Sequence, residues 1–106
     1  MTASSLEVKN ALTEAAQASD AWKSAGATVR FVLSEPPADI VVGPAGEQTD
    51  APPTHVLRIA WPDLLAIARG ERGFLRSLTG RHFTAHGPVM QTIAFGHALA
   101  SFDLDR

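Results

Sequence analysis

The chain reads as one small domain of mixed helices and strands, and three observations carry that reading. Stretches whose apolar residues recur every three or four positions alternate with short runs of period two, the signatures of helix and strand. Glycine or proline stands at most of the junctions, and 106 residues suffice for a single core but not for two.

The N-terminal segment opens with Ser4-Ser5-Leu6-Glu7, where Ser4 and Glu7 have capping-box spacing. A helix from about Leu6 to Trp22 is predicted, because Val8, Leu12, Ala15 or Ala16, Ser19 and Trp22 fall on one face; Gly26 is its stop. Thr28 to Leu33 alternates Val29, Phe31 and Leu33 against Arg30 and Val32, a strand with one strongly apolar side. Glu35-Pro36-Pro37 breaks it, and Ala38 to Val42 returns as a second strand, most simply through a hairpin. Gly43 to Pro53 is too polar and too rich in Gly and Pro for more than a vestigial strand.

Thr54 to Ala60 is a third strand, and Pro62 starts a helix over Asp63 to Arg69 that Gly70 ends, with Asp63 at the positive helix end. Phe74, Leu75 and Leu78 make a short helix before Gly80, and Arg81 to His86 alternates as a fourth strand. Gly87-Pro88 opens a last helix running to about Asp103. That helix has two apolar stripes: Val89, Ile93, Ala100 and Leu104 flanked by Met90 and His97, and separately Phe95, Leu99 and Phe102. One stripe suffices to bind a helix to a sheet. The second must cover another helix, a subunit partner or a bound apolar ligand.

Composition narrows the chemistry. Nine basic and eleven acidic residues are scattered without a basic stripe, so nucleic acid is not an expected partner. The chain has no cysteine, hence no disulfide, thiolate nucleophile or Cys-based metal site. The first ten residues lack the basic and apolar regions of a signal peptide, and no apolar run reaches the roughly 18 residues of a membrane span, so a soluble, cytoplasmic protein is expected.

His82 and His86 share a strand face but stand about 13 Å apart at strand rise, too far for one metal ion. His55 supplies no third ligand by itself, and His97 reads as a core or rim histidine, so no metal and no cofactor are expected. No G-x-S-x-G elbow or phosphate loop exists, and Asp39, Asp50 and Asp63 fit turns and helix starts. The chain is therefore not expected to be an enzyme. Arg69, Arg72, Arg76 and Arg81 could touch an anionic membrane surface transiently, at about 1 kcal/mol per residue, but they serve equally to solvate two short helices.

The segment His55–Pro88, strand, helix, Gly, helix, Gly, strand, Gly-Pro, resembles the sterol carrier protein 2 family. Val29-Arg30-Phe31-Val32 is similar to its first strand. Val56-Leu57-Arg58-Ile59 with Asp63-Leu64-Leu65-Ala66-Ile67-Ala68-Arg69-Gly70 is similar to its strand and apolar helix, and Gly80 to Gly87 to its late Gly-strand-Gly segment. The resemblance spans nearly the whole chain. It implies an α+β fold with a mostly antiparallel, curved sheet of four or five strands covered on one side by helices. It also implies an apolar tunnel that binds a hydrophobic small molecule (lipid, fatty acyl or sterol-like) without catalysis. Lining residues implied in this way are Phe31, Leu33, Leu57, Ile59, Leu65, Phe74, Leu78, Phe83, Met90, Ile93 and Phe102. The loop Gly43–Pro53 departs from the pattern by replacing a further strand, and Trp61 by putting a large ring before the second helix, where it would plug a tunnel or fill a dimer contact. The alternative is a structural module without ligand, a homodimer in which Phe95, Phe102 and Trp61 meet a second subunit.

Overall fold

A computed structural model describes residues 4–80, 83–102 and 104. The chain runs α1 (Ser5–Gln17), α2 (Asp20–Ala25), β1 (Val29–Ser34), β2 (Ala38–Val42), β3 (His55–Ala60), α3 (Trp61–Ala68), α4 (Phe74–Thr79), β4 (Thr84–His86) and α5 (Val89–Leu99). These strands form one four-stranded sheet in the order β2-β1-β3-β4. β1 is antiparallel to β2 and parallel to β3, and β3 is antiparallel to β4. The sheet is thus mixed, with two antiparallel pairings and one parallel one, within the α+β class.

Period-two alternation sets which face is buried. Val29, Phe31 and Leu33 stand beside Val42, Ile40 and Ala38 on one side and His55, Leu57 and Ile59 on the other, and all nine are buried. The opposite face carries Arg30, Val32, Asp39, Val41, Val56 and Arg58, half-buried or exposed. A one-residue slip would exchange the two sets, so burial locks the register. The helices lie over the apolar face: α1 against β2, α3 against β3, and α2 and α4 against α5.

The expected first helix is two. The Ser4 hydroxyl accepts from the Glu7 amide as the capping spacing predicts, but α1 ends at Gln17. Ser19 then caps α2, its hydroxyl accepting from the Trp22 amide at 3.1 Å. The break swings Trp22 into the core, where it has no exposed surface and donates from Nε1 to the Gly43 carbonyl at 2.9 Å. Gly26 ends α2 with φ of 64°, a left-handed conformation open to glycine.

Smaller corrections follow the same logic. α5 ends at Leu99, short of Asp103, which lies outside the described residues. β4 begins at Thr84; Arg81 and His82, expected in that strand, also lie outside them. The polar loop after β2 contributes one bridge, Gln48 to Val42, the vestige of a strand.

Candidate functional site: an apolar hollow between α4 and α5

α4 and α5 diverge enough to leave a hollow of about 320 Å³ at the surface. Its walls are Gly73, Phe74, Leu75 and Arg76 on one side and Ile93, Gly96, His97 and Ala100 on the other. Gly96 makes this geometry. A Cβ there would stand 2.4 Å from Phe74 Cδ2, so only a glycine lets the ring settle against α5. Phe74 itself is buried and separates the hollow from the interior.

Behind Phe74 lies a continuous aromatic cluster. Phe74 meets Phe83 at 5.0 Å and Phe95 at 5.9 Å between ring centroids; Phe95 meets Trp22 at 6.0 Å, and Trp22 meets Phe31 at 6.0 Å and Phe102 at 5.6 Å. Trp22 stacks on Phe31 with an interplanar angle of 28°, and the other four pairs are tilted or edge-on, geometries that aromatic quadrupoles favour over a face-to-face sandwich. Beside Phe74, Leu75 is 51% exposed, and at the start of α5 Val89 and Met90 are exposed by 70% and 78%.

The candidates named by resemblance divide among these places. Phe74 and Ile93 share the hollow. Leu33, Ile59 and Phe83 meet at a second, shallower depression at the end of the sheet with Val32, Arg58 and Thr84. Phe31 and Leu57 are fully buried and Phe102 nearly so, Leu65 and Leu78 are partly buried against the core, and Met90 stands outside. Ala100, Leu75 and Gly96 line the hollow without having been singled out as ligand contacts. Ala100 was already visible as a stripe residue, whereas nothing in a lone helical glycine announces a ring packed upon it.

The two stripes of the last helix take definite roles. Phe95, Leu99 and Phe102 face the core, with Phe95 also edge-on to His55 at 5.2 Å, so this stripe is covered within the chain by α2, β3 and α4. It offers no surface to a second subunit, and neither does Trp61, which is buried at the start of α3. The outward stripe is the other one, with Val89, Met90, His97 and Ala100 exposed and Ile93 half-buried, but Leu104, expected in it, lies past the end of α5 and is buried.

Polar groups near the site have structural duties. His55 is buried, with Nε2 donating to the Pro88 carbonyl at 3.1 Å and Nδ1 2.7 Å from the Thr54 hydroxyl; it ties β3 to the start of α5. Arg72 donates to Asp63 at 2.7 Å. On the outer sheet face Arg30 holds Asp39 through two hydrogen bonds, which keeps the Asp39 carboxyl below its ordinary range. Among the described residues no three His, Asp or Glu side chains gather around a common metal position. No described helix is long and apolar enough to cross a membrane.

Comparison of the sequence with protein families and with curated proteins finds no match. Solved structures are informative. The solution structure of the sterol carrier protein domain 2 of Helicoverpa armigera superposes with a TM-score of 0.69 at 14% identity, covering 97% of both chains. The fold is that of sterol carrier protein 2 domains. The apo sterol carrier protein 2 of Yarrowia lipolytica matches with a TM-score of 0.63 at 15% identity, over 91% of this chain and 86% of that one. A ubiquinone synthesis protein, UbiJ-SCP2, matches with a TM-score of 0.60 at 14% identity over 92% and 88%. A sterol carrier protein 2 fold is thus kept at identities where few side chains coincide.

Proposed function

We propose that this protein binds a hydrophobic small molecule, a lipid or fatty acyl compound, and carries it unchanged. The observation that carries the reading is the hollow between α4 and α5, whose walls are mostly apolar, on a fold shared with sterol carrier protein 2 domains. Its volume of about 320 Å³ is at the lower end of the roughly 300–1,000 Å³ typical of ligand pockets. One acyl segment fits that space better than a fused ring system. Binding then rests on buried apolar area, at about 25 cal/mol per Å² before ordering costs.

Phe74 is the partition through which a longer ligand would extend inward. Were α4 to part from α5 and the ring to leave Gly96, the ligand would reach Phe83 and Phe95 and then the core residues Phe31, Leu33, Leu57, Ile59 and Phe102, which are packed together in the unliganded fold. Leu65 and Leu78 flank this path, and Met90 is an outer lip. The test is displacement of a fluorescent fatty acid, with native mass spectrometry of the freshly purified protein beside it. Ala100→Phe, which fills the hollow from an exposed position, should abolish probe binding while leaving the melting temperature nearly unchanged. Undiminished binding by that variant places the ligand elsewhere and ends the reading.

A further inference from the structure

Among the described residues the buried polar side chains are Ser19, Thr28, His55, Ser77 and Thr92. Ser19 accepts from the Trp22 amide, Thr92 donates to the Pro88 carbonyl at 2.9 Å, and His55 spends both ring nitrogens on Thr54 and Pro88. Ser77 differs. It has no exposed surface, and its Oγ meets no hydrogen-bond partner. Serines within helices commonly escape this by bonding back to the carbonyl one turn earlier. Here the Gly73 carbonyl receives the Ser77 amide at 2.9 Å, and the hydroxyl stays apart from it. A hydroxyl buried in this way destabilises the protein on its own and calls for a partner.

The place of Ser77 says what that partner is. It follows Phe74 by three residues and so shares that ring's face of α4, one turn further along. Leu75 and Arg76, between them, are exposed. Ser77 is therefore on the inward side of the helix, behind the partition that closes the hollow. We propose that Ser77 is the polar contact for the carried molecule and selects a neutral lipid whose leading end bears a hydroxyl or carbonyl oxygen, such as a long-chain alcohol or ketone. This rests on the carrier reading above.

Other end groups suit the position less well. A bare hydrocarbon leaves the hydroxyl as unsatisfied as before. An ionised carboxylate at that depth needs a buried cation, and none of the buried polar residues is a lysine or arginine. A neutral oxygen gains the Ser77 hydrogen bond as it loses water, so two buried polar groups satisfy one another. Access comes with α4 itself. The helix is six residues long, has no side-chain cap and packs on α5. So short a helix is held by packing rather than by its own backbone, and the wall that moves to admit the ligand also carries its polar contact.

Competition against a fluorescent fatty acid tests this, with decane, decanol and decanoate as competitors for the full chain and for Ser77→Ala. The preference for decanol over decane should be about tenfold greater in wild type than in Ser77→Ala, the worth of one buried hydrogen bond. Decane and decanoate should bind both proteins alike. Without ligand, Ser77→Ala should raise the melting temperature by about 4 °C or more, because it removes an unsatisfied group. An alcohol-to-alkane ratio equal in the two proteins overturns the proposal and leaves the carrier reading standing. A fall in melting temperature also overturns it, since the hydroxyl is then bonded within the chain. A loss confined to decanoate refutes the neutral end group. Failure of the fluorescent fatty acid and of all three competitors to bind ends the carrier reading and this one together.

Discussion

Gly96→Ala sets two physical effects against each other, and the structure decides the sign. In a helix interior the replacement ordinarily gains about 1 kcal/mol, because alanine loses less backbone entropy. Here the added Cβ would lie 2.4 Å from Phe74 Cδ2, 2.6 Å from Cε2 and 2.8 Å from Cγ. The ring cannot retreat inward, with Phe83 and Phe95 at centroid distances of 5.0 and 5.9 Å. It must move out into the hollow or push α4 from α5, and such overpacking costs about 1–3 kcal/mol. The net expectation is a loss of about 1 kcal/mol, or about 4–8 °C in melting temperature for a domain of this size. Urea denaturation of four proteins, wild type, Gly96→Ala, Phe74→Ala and the double variant, isolates the clash, with an osmolyte offsetting the cost of removing Phe74. With the ring gone, Gly96→Ala should stabilise by about 1 kcal/mol, giving a coupling of about 2 kcal/mol. If Gly96→Ala stabilises the wild type as much as the Phe74→Ala background, the ring does not rest on α5 and the hollow is misdrawn.

Other expectations follow from single contacts. Trp22→Phe removes the donor to the buried Gly43 carbonyl and part of a fully enclosed ring, and should cost about 2–4 kcal/mol by denaturant midpoint. A cost below about 1 kcal/mol would mean that the carbonyl finds another partner. Gly46→Ala combines φ of 86° with a Cβ 2.4 Å from the Gln17 backbone nitrogen, so it should destabilise by about 1–3 kcal/mol and loosen the loop against α1, visible as faster amide exchange in α1's last turn. The Arg30 hydrogen bond lowers the Asp39 pKa in the folded protein, so folded Asp39 binds its proton less readily than unfolded Asp39. That increment of stability is present at neutral pH and disappears as pH falls through the carboxylate range. Asp39→Asn should flatten the acid limb of the stability curve slightly, since the pair is solvent-exposed; a steeper acid limb in the variant contradicts the assignment.

How much was legible in the sequence depended on whether the signal was local. Alternation in Val29-Arg30-Phe31-Val32-Leu33 reports directly on pleat and face, and the register with β2 and β3 bears it out. The end of α1 was hidden, because Val8, Leu12, Ala15, Ser19 and Trp22 keep helical spacing across the break; Ser19 serves equally as a face residue or as a cap. Periodicity showed two stripes on α5 but not which one turned inward. That choice belongs to Trp22, His55 and Phe74, which come from three other elements and close around Phe95. The hollow was least legible, since it exists only through the placement of α4 relative to α5. The overall fold, by contrast, was recoverable from the Gly and Pro punctuation of His55–Pro88, as the superposition on sterol carrier protein 2 domains bears out.

The loop after β2 guards against a hazard that any open sheet carries. An edge strand presents unpaired amides and carbonyls that can template pairing with other chains and seed aggregation. Here Gln48 bridges Val42 and the Thr49 amide donates to the Val41 carbonyl, so the chain occupies the far end of its own β2 edge. Gly46, pressed on the backbone of α1, anchors that covering, and at the opposite edge β4 is only three residues long. Shortening the loop would therefore expose β2 to its neighbours: such a deletion should remain folded when dilute and form fibrils or precipitate on concentration, where the full-length chain stays clear.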